Sequence, residues 1–89
     1  MEKSVFTPEY RALLKLLRET RQRAGVTQVE LAARLNETQS YISKVERGEI
    51  RLDVIQLRTL CMALETSLPE FIGALEVRLP SHRRRKANS

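Results

Sequence analysis

The chain has 89 residues, 42% of them hydrophobic and 30% charged, which allows one small domain and excludes a large enzyme core. No apolar run approaches the roughly 18 to 20 residues that cross a bilayer, and the N-terminus lacks the pattern of a secretory signal, so we expect a cytoplasmic protein without membrane contacts. Four positive charges of the net +5 lie between Arg83 and Lys86, so charge alone does not indicate a nucleic-acid partner.

Residues that could support catalysis or bind a metal are scarce. The chain has one cysteine, Cys61, and one histidine, His82, which excludes an internal disulfide and a multi-cysteine zinc site. It also lacks a glycine-rich phosphate loop and a nucleophile-base set. We therefore expect no enzyme activity and no cofactor or metal, and we interpret Cys61 as a core residue rather than a redox sensor.

Helical signals begin near the N-terminus. Thr7 followed by Pro8 predicts a helix start, because the Thr side chain can cap the first turn and Pro tolerates the position whose N–H has no helical partner. This first helix is expected to extend to about Ala24 and to end at Gly25, which can adopt the left-handed conformation.

Two short helices are predicted next. Thr27 and Glu30 have the spacing of a capping box, which begins helix two, and Asn36 is expected to end it in a left-handed conformation. Helix three begins after Thr38 and stops at Gly48, so only a few residues separate helices two and three. Such a close connection is typical of a helical hairpin.

The last two helices have similar starts, each with the spacing of a capping box. Asp53 and Gln56 begin helix four, which ends near Glu65, and Ser67 begins helix five, which ends at Pro80. The expected inner face of helix four consists of Val54, Leu57, Cys61 and Leu64. The expected face of helix five consists of Leu68, Phe71, Ile72, Leu75 and Leu79. Residues 1–80 are thus predicted to form one domain, and residues 81–89 a basic disordered tail that either adds phosphate affinity or merely aids solubility.

Charged residues interrupt the inner faces of two helices. Arg21 lies at a position on helix one where the spacing predicts an apolar residue. Glu46 lies four residues after Ile42, on the inner face of helix three. A guanidinium can bind a carboxylate through two hydrogen bonds, so one interpretation is a partly buried pair that joins the two helices. The alternative is that both side chains reach solvent at helix ends.

The segments 25–32 (GVTQVELA) and 39–48 (QSYISKVERG) resemble the helix-turn-helix of the phage repressor, Cro and Xre family. The resemblance covers about residues 10–75 and implies an all-α, five-helix, repressor-like DNA-binding domain in which helices two and three form the helix-turn-helix. The sequence departs from the family pattern at Asn36, a turn position where the family commonly has glycine. The family also commonly has an Arg–Glu bridge at the positions of Arg21 and Glu46, which favours the buried pair.

The resemblance implies that helix three enters the major groove of DNA. On that basis the expected base-contacting residues are Gln39, Ser40, Lys44 and Thr38. The expected phosphate-contacting residues are Gln28, Thr27, Tyr41, Ser43, Arg47 and Arg51. Each could instead be an ordinary solvated residue, and the ring of Tyr41 could equally cover the edge of the core.

These expectations favour a sequence-specific transcriptional regulator that binds a palindromic operator in double-stranded DNA as a homodimer and that occludes or contacts RNA polymerase. The expected dimer interface is helix five, through Phe71, Ile72, Leu75 and Leu79, although these residues could simply close the core of one subunit. The alternative function is an antitoxin or adaptor whose main partner is a protein, such as a toxin.

Overall fold

A computed structural model describes residues 7–80, which form five α-helices and no strand. The helices are α1 (Pro8–Arg23), α2 (Gln28–Leu35), α3 (Gln39–Glu46), α4 (Val54–Ala63) and α5 (Leu68–Arg78). The predicted all-α, five-helix class is therefore confirmed. The predicted tail, with His82 and the run from Arg83 to Lys86, lies outside the described residues, and so do residues 1–6.

Each helix begins at a polar side chain that accepts a hydrogen bond from the backbone N–H three residues later. These caps are Thr7, Thr27, Thr38, Asp53 and Ser67. The second half of the capping box, in which the later side chain accepts from the cap's own N–H, is present at Thr27 and Asp53. At Ser67 it is missing, because the Glu70 carboxylate accepts from the hydroxyl of Thr66 at 3.2 Å instead.

The core lies where all five helices meet. Helix α1 packs on α3 and α5, α2 packs on α3 and α4, and α4 packs on α5. The most deeply buried side chains are Leu16, Leu17, Leu31, Ile42, Val45, Leu60 and Cys61. Burial of such aliphatic side chains supplies most of the free energy that favours the folded chain. It also holds α2 and α3 in one fixed relative orientation.

The inner face of α4 is rotated from the predicted one. Val54 was expected in the core but is 59% exposed, whereas Leu60, which the prediction omitted, is 2% exposed. Leu57, Leu60, Cys61 and Leu64 have the i, i+3, i+4, i+7 spacing of one helical face. The centre of that face lies on the Leu60 side, so Val54 lies at its edge, in the exposed first turn of the helix.

The predicted self-association surface on α5 also needs correction. Phe71 and Leu75 are 3% and 8% exposed within a single chain and belong to the core, because this face of α5 packs on α1 and α4. Their side chains are therefore unavailable to a second copy. Ile72 and Leu79 are only partly buried, so these two of the four predicted residues keep surface for a contact.

No helix among residues 7–80 is both long enough and apolar enough to cross a membrane.

Candidate nucleic-acid interface

Helices α2 and α3 are joined by three residues, 36–38. Asn36 ends α2 in the left-handed conformation, with φ 57° and ψ 42°, as expected for a residue whose short amide tolerates this region. The N–H of Glu37 then donates to the carbonyl of Ala32 at 2.8 Å. The turn satisfies the last carbonyls of α2 and directs the chain at once into α3.

Helix α3 has one buried and one exposed face. Ile42 and Val45 are each 1% exposed and anchor the helix in the core. The opposite face presents Gln39, Ser40 and Lys44 to solvent. Three of the four predicted base-contacting residues therefore share an outward surface on a helix that the core holds rigidly. The fourth, Thr38, is the exposed N-cap, and its hydroxyl accepts from the N–H of Tyr41 at 3.1 Å.

The structure brings Arg21 and Glu46 together as a buried pair with two hydrogen bonds. The Nε of Arg21 donates to Oε2 of Glu46 at 2.7 Å, and its Nη2 donates to Oε1 at 3.1 Å. The third nitrogen, Nη1, donates to the carbonyl of Val26 at 3.0 Å. The two residues are 9% and 4% exposed, so the pair fixes α1, α3 and Val26 of the α1–α2 loop relative to one another.

The buried carboxylate also holds the two glutamines of the predicted interface. Nε2 of Gln28 donates to Oε1 of Glu46 at 2.9 Å, and Nε2 of Gln39 donates to Oε1 of Gln28 at 2.8 Å. An ionised carboxylate only accepts hydrogen bonds, so Gln28 must turn its NH₂ inward and its oxygen toward Gln39. This constraint fixes the direction of the two hydrogen bonds that connect Glu46 through Gln28 to the surface residue Gln39.

Two hydrogen-bonding groups remain on the amide of Gln39. Its Nε2 keeps one hydrogen, since the other is donated to Gln28, and its Oε1 keeps its acceptor sites. One donor beside one acceptor matches the N7 and N6 edge of adenine in the major groove. Gln28 likewise keeps one Nε2 hydrogen, which is suited to a phosphate oxygen at the N-terminal end of α2.

The first turn of α2 presents a second polar group at the same edge. Thr27 is exposed, and its hydroxyl oxygen accepts from the N–H of Glu30 at 3.0 Å. The hydroxyl hydrogen remains free to donate to a phosphate. Thr27 and Gln28 are neighbours at the start of α2, which places both predicted phosphate contacts of this helix together.

Arg47 and Ser43 lie at the other end of α3, and both already have partners. Nε of Arg47 donates to Oε2 of Glu49 at 2.9 Å, and its Nη1 donates to the hydroxyl of Ser43. The hydrogen bond with Glu49 raises the pKa of Arg47 and lowers the pKa of the Glu49 carboxyl. A phosphate that binds Arg47 must compete with Glu49 for this exposed guanidinium.

Arg51 is held by a residue of α1. Its guanidinium carbon lies 4.5 Å from the centre of the Tyr10 ring, within the range of a cation–π contact. The N–H of the next residue, Leu52, donates to the Tyr10 hydroxyl at 3.1 Å. Tyr10 therefore orders the loop that follows α3. Arg51 is exposed on that loop, the placement expected of a backbone contact.

Tyr41 lies partly in the core rather than fully on the outward face. It is half-buried and lines a groove of about 190 Å³ together with Leu35, Ile55 and Leu60. Burial, followed by the nearby Glu37 carboxylate, raises the pKa of its hydroxyl. This placement agrees with the alternative in which the Tyr41 ring covers the edge of the core.

One contact near the interface was missed from the sequence. Nη2 of Arg18 donates to the backbone carbonyl of Glu46 at 3.4 Å, and its Nε lies 3.7 Å from the Glu46 carboxylate. A signal was present, since Arg18 is three residues before Arg21 and such residues share a helix face. The hydrogen bond between Gln28 and Gln39 had no comparable signal.

The chain was compared with known proteins. The helix-turn-helix family matches residues 17–71. An XRE-family like protein from Pseudomonas syringae pv. tomato str. DC3000 is 45% identical, with a TM-score of 0.78 over 88% of this chain and 95% of that one. The clp gene regulator ClgR from C. glutamicum is 29% identical, with a TM-score of 0.70 over 81% of this chain and 94% of that one. A search of curated proteins gave no significant match.

Proposed function

Because this chain belongs to the Xre-like helix-turn-helix family, a family of DNA-binding transcription regulators, we propose that it binds a palindromic operator as a homodimer. The observation that carries the proposal is the outward face of α3. There the exposed amide of Gln39 is oriented by Gln28 and Glu46. An amide held in one orientation distinguishes bases, whereas a freely rotating one does so less well.

Sequence recognition in this proposal comes from the outward face of α3. Gln39 pairs with adenine through its remaining donor and acceptor, Lys44 donates to guanine, and Ser40 contacts either base. Thr38 lies at the same edge. Backbone contacts position the helix but carry no direct sequence information. Those proposed at the α2 end are Thr27 and Gln28. Those proposed on α3 and on the loop that follows it are Tyr41, Ser43, Arg47 and Arg51.

Footprinting on the DNA upstream of its own gene tests the proposal. We expect protection of two half-sites whose centres lie about one helical turn, or a multiple of it, apart. Gln39→Ala should weaken operator binding by about 1 to 3 kcal/mol and leave binding to unrelated DNA unchanged. Arg58→Ala, which removes an exposed side chain of α4, is the control and should bind as the parent chain does.

Two half-sites require two copies, and we place the contact between them on the partly buried edge of α5. Ile72 lies in α5 and Leu79 caps its C-terminal end, seven residues later, and both are partly buried against the core. Val77 is 86% exposed but lies about 140° around the helix from Ile72, at 100° per residue. It therefore provides a matched apolar control.

Sedimentation of two variants tests this interface. Ile72→Asp should yield a folded monomer with weaker operator binding, because a charge replaces an apolar contact. Val77→Asp should remain dimeric. A dimer that persists in Ile72→Asp, with helical content unchanged by circular dichroism, would place the interface elsewhere.

The second candidate function is that of an antitoxin or adaptor whose main partner is a protein, such as a toxin. One observation favours it, since Ile55 is 66% exposed at the rim of the groove that Tyr41 lines. An apolar contact there would depend little on salt, whereas DNA binding weakens steeply as salt displaces phosphate contacts. Absence of footprint protection even at low salt would favour this alternative over operator binding.

A further inference from the structure

A groove runs between α1 and the C-terminal end of α3. Its volume is about 580 Å³, and it is lined by Arg11, Leu14, Lys15, Arg18, Glu46 and Arg47. Leu14 is 6% exposed and forms part of the floor, whereas Arg11, Lys15, Arg18 and Arg47 are exposed around it. None of the α1 residues belongs to the interface proposed above.

The lining of the groove is strongly cationic. It contains four basic side chains and one carboxylate, that of Glu46. This carboxylate accepts hydrogen bonds from Arg21 and Gln28 in the interior and lies 3.7 Å from Nε of Arg18, so one carboxylate faces the four basic side chains of the lining. Surfaces of one charge sign attract ligands of the opposite sign. The groove therefore suits an anion.

The spacing of the α1 cations suits an extended anion better than a small one. Arg11, Lys15 and Arg18 follow one another at i, i+4 and i+7, which places them on one face of α1. At a rise of about 1.5 Å per residue they span about 10 Å along the helix. Arg47 also lines the groove, and a phosphate there must compete with Glu49 for its guanidinium. A chain of phosphates provides repeated charges over such a length.

The groove is continuous with the proposed DNA surface. Arg47 follows Gln39 and Ser43 at steps of four residues along α3, so one edge of α3 leads from the base-contacting end into the groove. Nε of Arg18 lies 3.7 Å from Oε1 of Glu46, the atom that also accepts from Gln28. The groove therefore adjoins Gln28, a proposed phosphate contact, through the carboxylate of Glu46.

We infer that this α1 groove binds the phosphate backbone of the DNA strand that flanks each half-site, as a second, sequence-independent contact surface. The inference rests on the proposed function, because it assumes that α3 lies in the major groove. Continuity with α3 favours DNA over an acidic protein segment, because DNA bound at the base-contacting edge of α3 would continue into the groove. The groove adds affinity for any sequence and leaves the choice of operator to α3.

Lys15→Gln tests the inference by removing one charge and keeping most of the side chain. Binding to the footprinted operator and to a random duplex of equal length is measured between about 50 and about 200 mM salt. Loss of one phosphate contact should reduce the slope of log K against log salt by about 0.9. The deficit in affinity should therefore be about threefold larger at the low salt concentration than at the high one.

Both duplexes should lose affinity by the same factor, so the ratio of operator to random binding stays constant, whereas Gln39→Ala lowers it. Lys15→Arg should keep the parental slope because it keeps the charge. Arg58→Gln, which removes an equivalent charge from α4 outside the groove, should also keep it. Thermal unfolding of each variant shows that the fold is retained.

Two results would overturn the inference. One is a parental salt slope in Lys15→Gln and in the double variant Arg11→Gln, Lys15→Gln, in a chain that still binds its operator. The other is a change in the operator-to-random ratio, which would make the groove a determinant of sequence. Failure of the unmutated chain to protect any operator is a different result and would contradict the proposed function itself.

Discussion

At the scale of single residues, Glu46 has more partners than any other carboxylate described above. It accepts from Arg21 and Gln28 through its side chain and from Arg18 through its backbone carbonyl. A buried charge of this kind adds little net stability while it is paired, because desolvation offsets the attraction. Removing one partner is costly, since the other charge then stays buried without compensation.

Glu46→Ala should therefore lower the free energy of unfolding by about 3 to 5 kcal/mol, measured by urea denaturation. Glu49→Ala is the control, because it also removes a carboxylate that binds an arginine, but an exposed one, and it should have little effect. The double variant Arg21→Met, Glu46→Met should recover most of the loss. Equal effects of Glu46→Ala and Glu49→Ala would contradict the structural role given to the buried pair.

The ion pair between Arg78 and Glu19 makes the free energy of unfolding depend on pH in the acid range. Nη2 of Arg78 in α5 donates to Oε1 of Glu19 in α1 at 2.5 Å, and this hydrogen bond lowers the pKa of Glu19 from its ordinary 4.5. A carboxyl whose pKa is lower in the folded chain than in the unfolded one stabilises the fold above the unfolded pKa. That contribution is lost as the pH falls through the folded pKa.

Glu19→Gln should consequently show a shallower loss of unfolding free energy than the parent chain between about pH 5 and about pH 3, measured by urea denaturation. The difference should shrink in high salt, because the pair is solvent-accessible. Glu9→Gln removes an exposed carboxyl of α1 for which no ion pair is described and serves as the control. The same acid dependence in Glu19→Gln and the parent would show that the pair contributes nothing.

At the scale of helices, the ends are the best-predicted features. Each N-cap acts on an N–H three residues away, so the information lies within one turn of sequence. The inner face of α4 was predicted less well, since the choice between Val54 and Leu60 depends on which neighbouring helix covers which side. Local spacing does not contain that information.

One helix end departs from the usual residue preference. Glu65, after α4, has φ 62°, a left-handed conformation in which a side chain is strained and glycine is not. Glu65→Gly should raise the free energy of unfolding by about 0.5 to 1 kcal/mol, after allowing for the greater freedom of glycine in the unfolded chain.

Glu65→Ala separates this backbone effect from loss of the carboxylate, because alanine keeps the strain. Urea denaturation should show a gain for glycine and none for alanine. Asn36→Gly should change stability less than Glu65→Gly, since asparagine already tolerates the conformation at φ 57°. A gain of equal size in Glu65→Ala would mean that the carboxylate, and not the backbone, is unfavourable.

At the scale of the whole molecule, Cys61 reports on the integrity of the core. It is 0% exposed where the helices meet, and burial raises the pKa of its thiol. Burial blocks access of a reagent to the sulfur, and the raised pKa lowers the fraction of reactive thiolate. We expect thiol reagents to label Cys61 only through global unfolding, at least about a thousandfold more slowly than an exposed thiol, given the usual stability of small domains.

A matched control comes from the neighbouring residue. Met62 is 56% exposed, so Met62→Cys in a Cys61→Ala chain should be labelled at once. Urea should accelerate labelling of Cys61 in proportion to the unfolded fraction. Fast labelling of Cys61 in the absence of urea would show that the core opens locally.

Contacts between distant parts of the chain could be predicted only where the sequence pattern marks both partners. Arg21 and Glu46 were candidates for a pair because each interrupts an apolar face, and the family resemblance favoured that pair over the solvent-exposed alternative. Tyr10 and Leu52 are 42 positions apart and interrupt nothing, so no pattern connects them. The hydrogen bond of Gln28 to Gln39 likewise arises only when α2 and α3 are folded together, although each glutamine alone was a candidate for DNA contact.

The hydrogen bonds from Glu46 through Gln28 to Gln39 have a consequence for relatives of this chain. The orientation of the Gln39 amide depends on Glu46, a buried residue outside the proposed DNA contacts. An interior residue therefore helps to determine which operator sequence is preferred. Two proteins with the same residues 38–44 but with glutamate in one and glutamine in the other at position 46 should prefer different operators, because a neutral amide can donate as well as accept. The operator that one relative prefers cannot then be assigned to another from identical residues 38–44 alone.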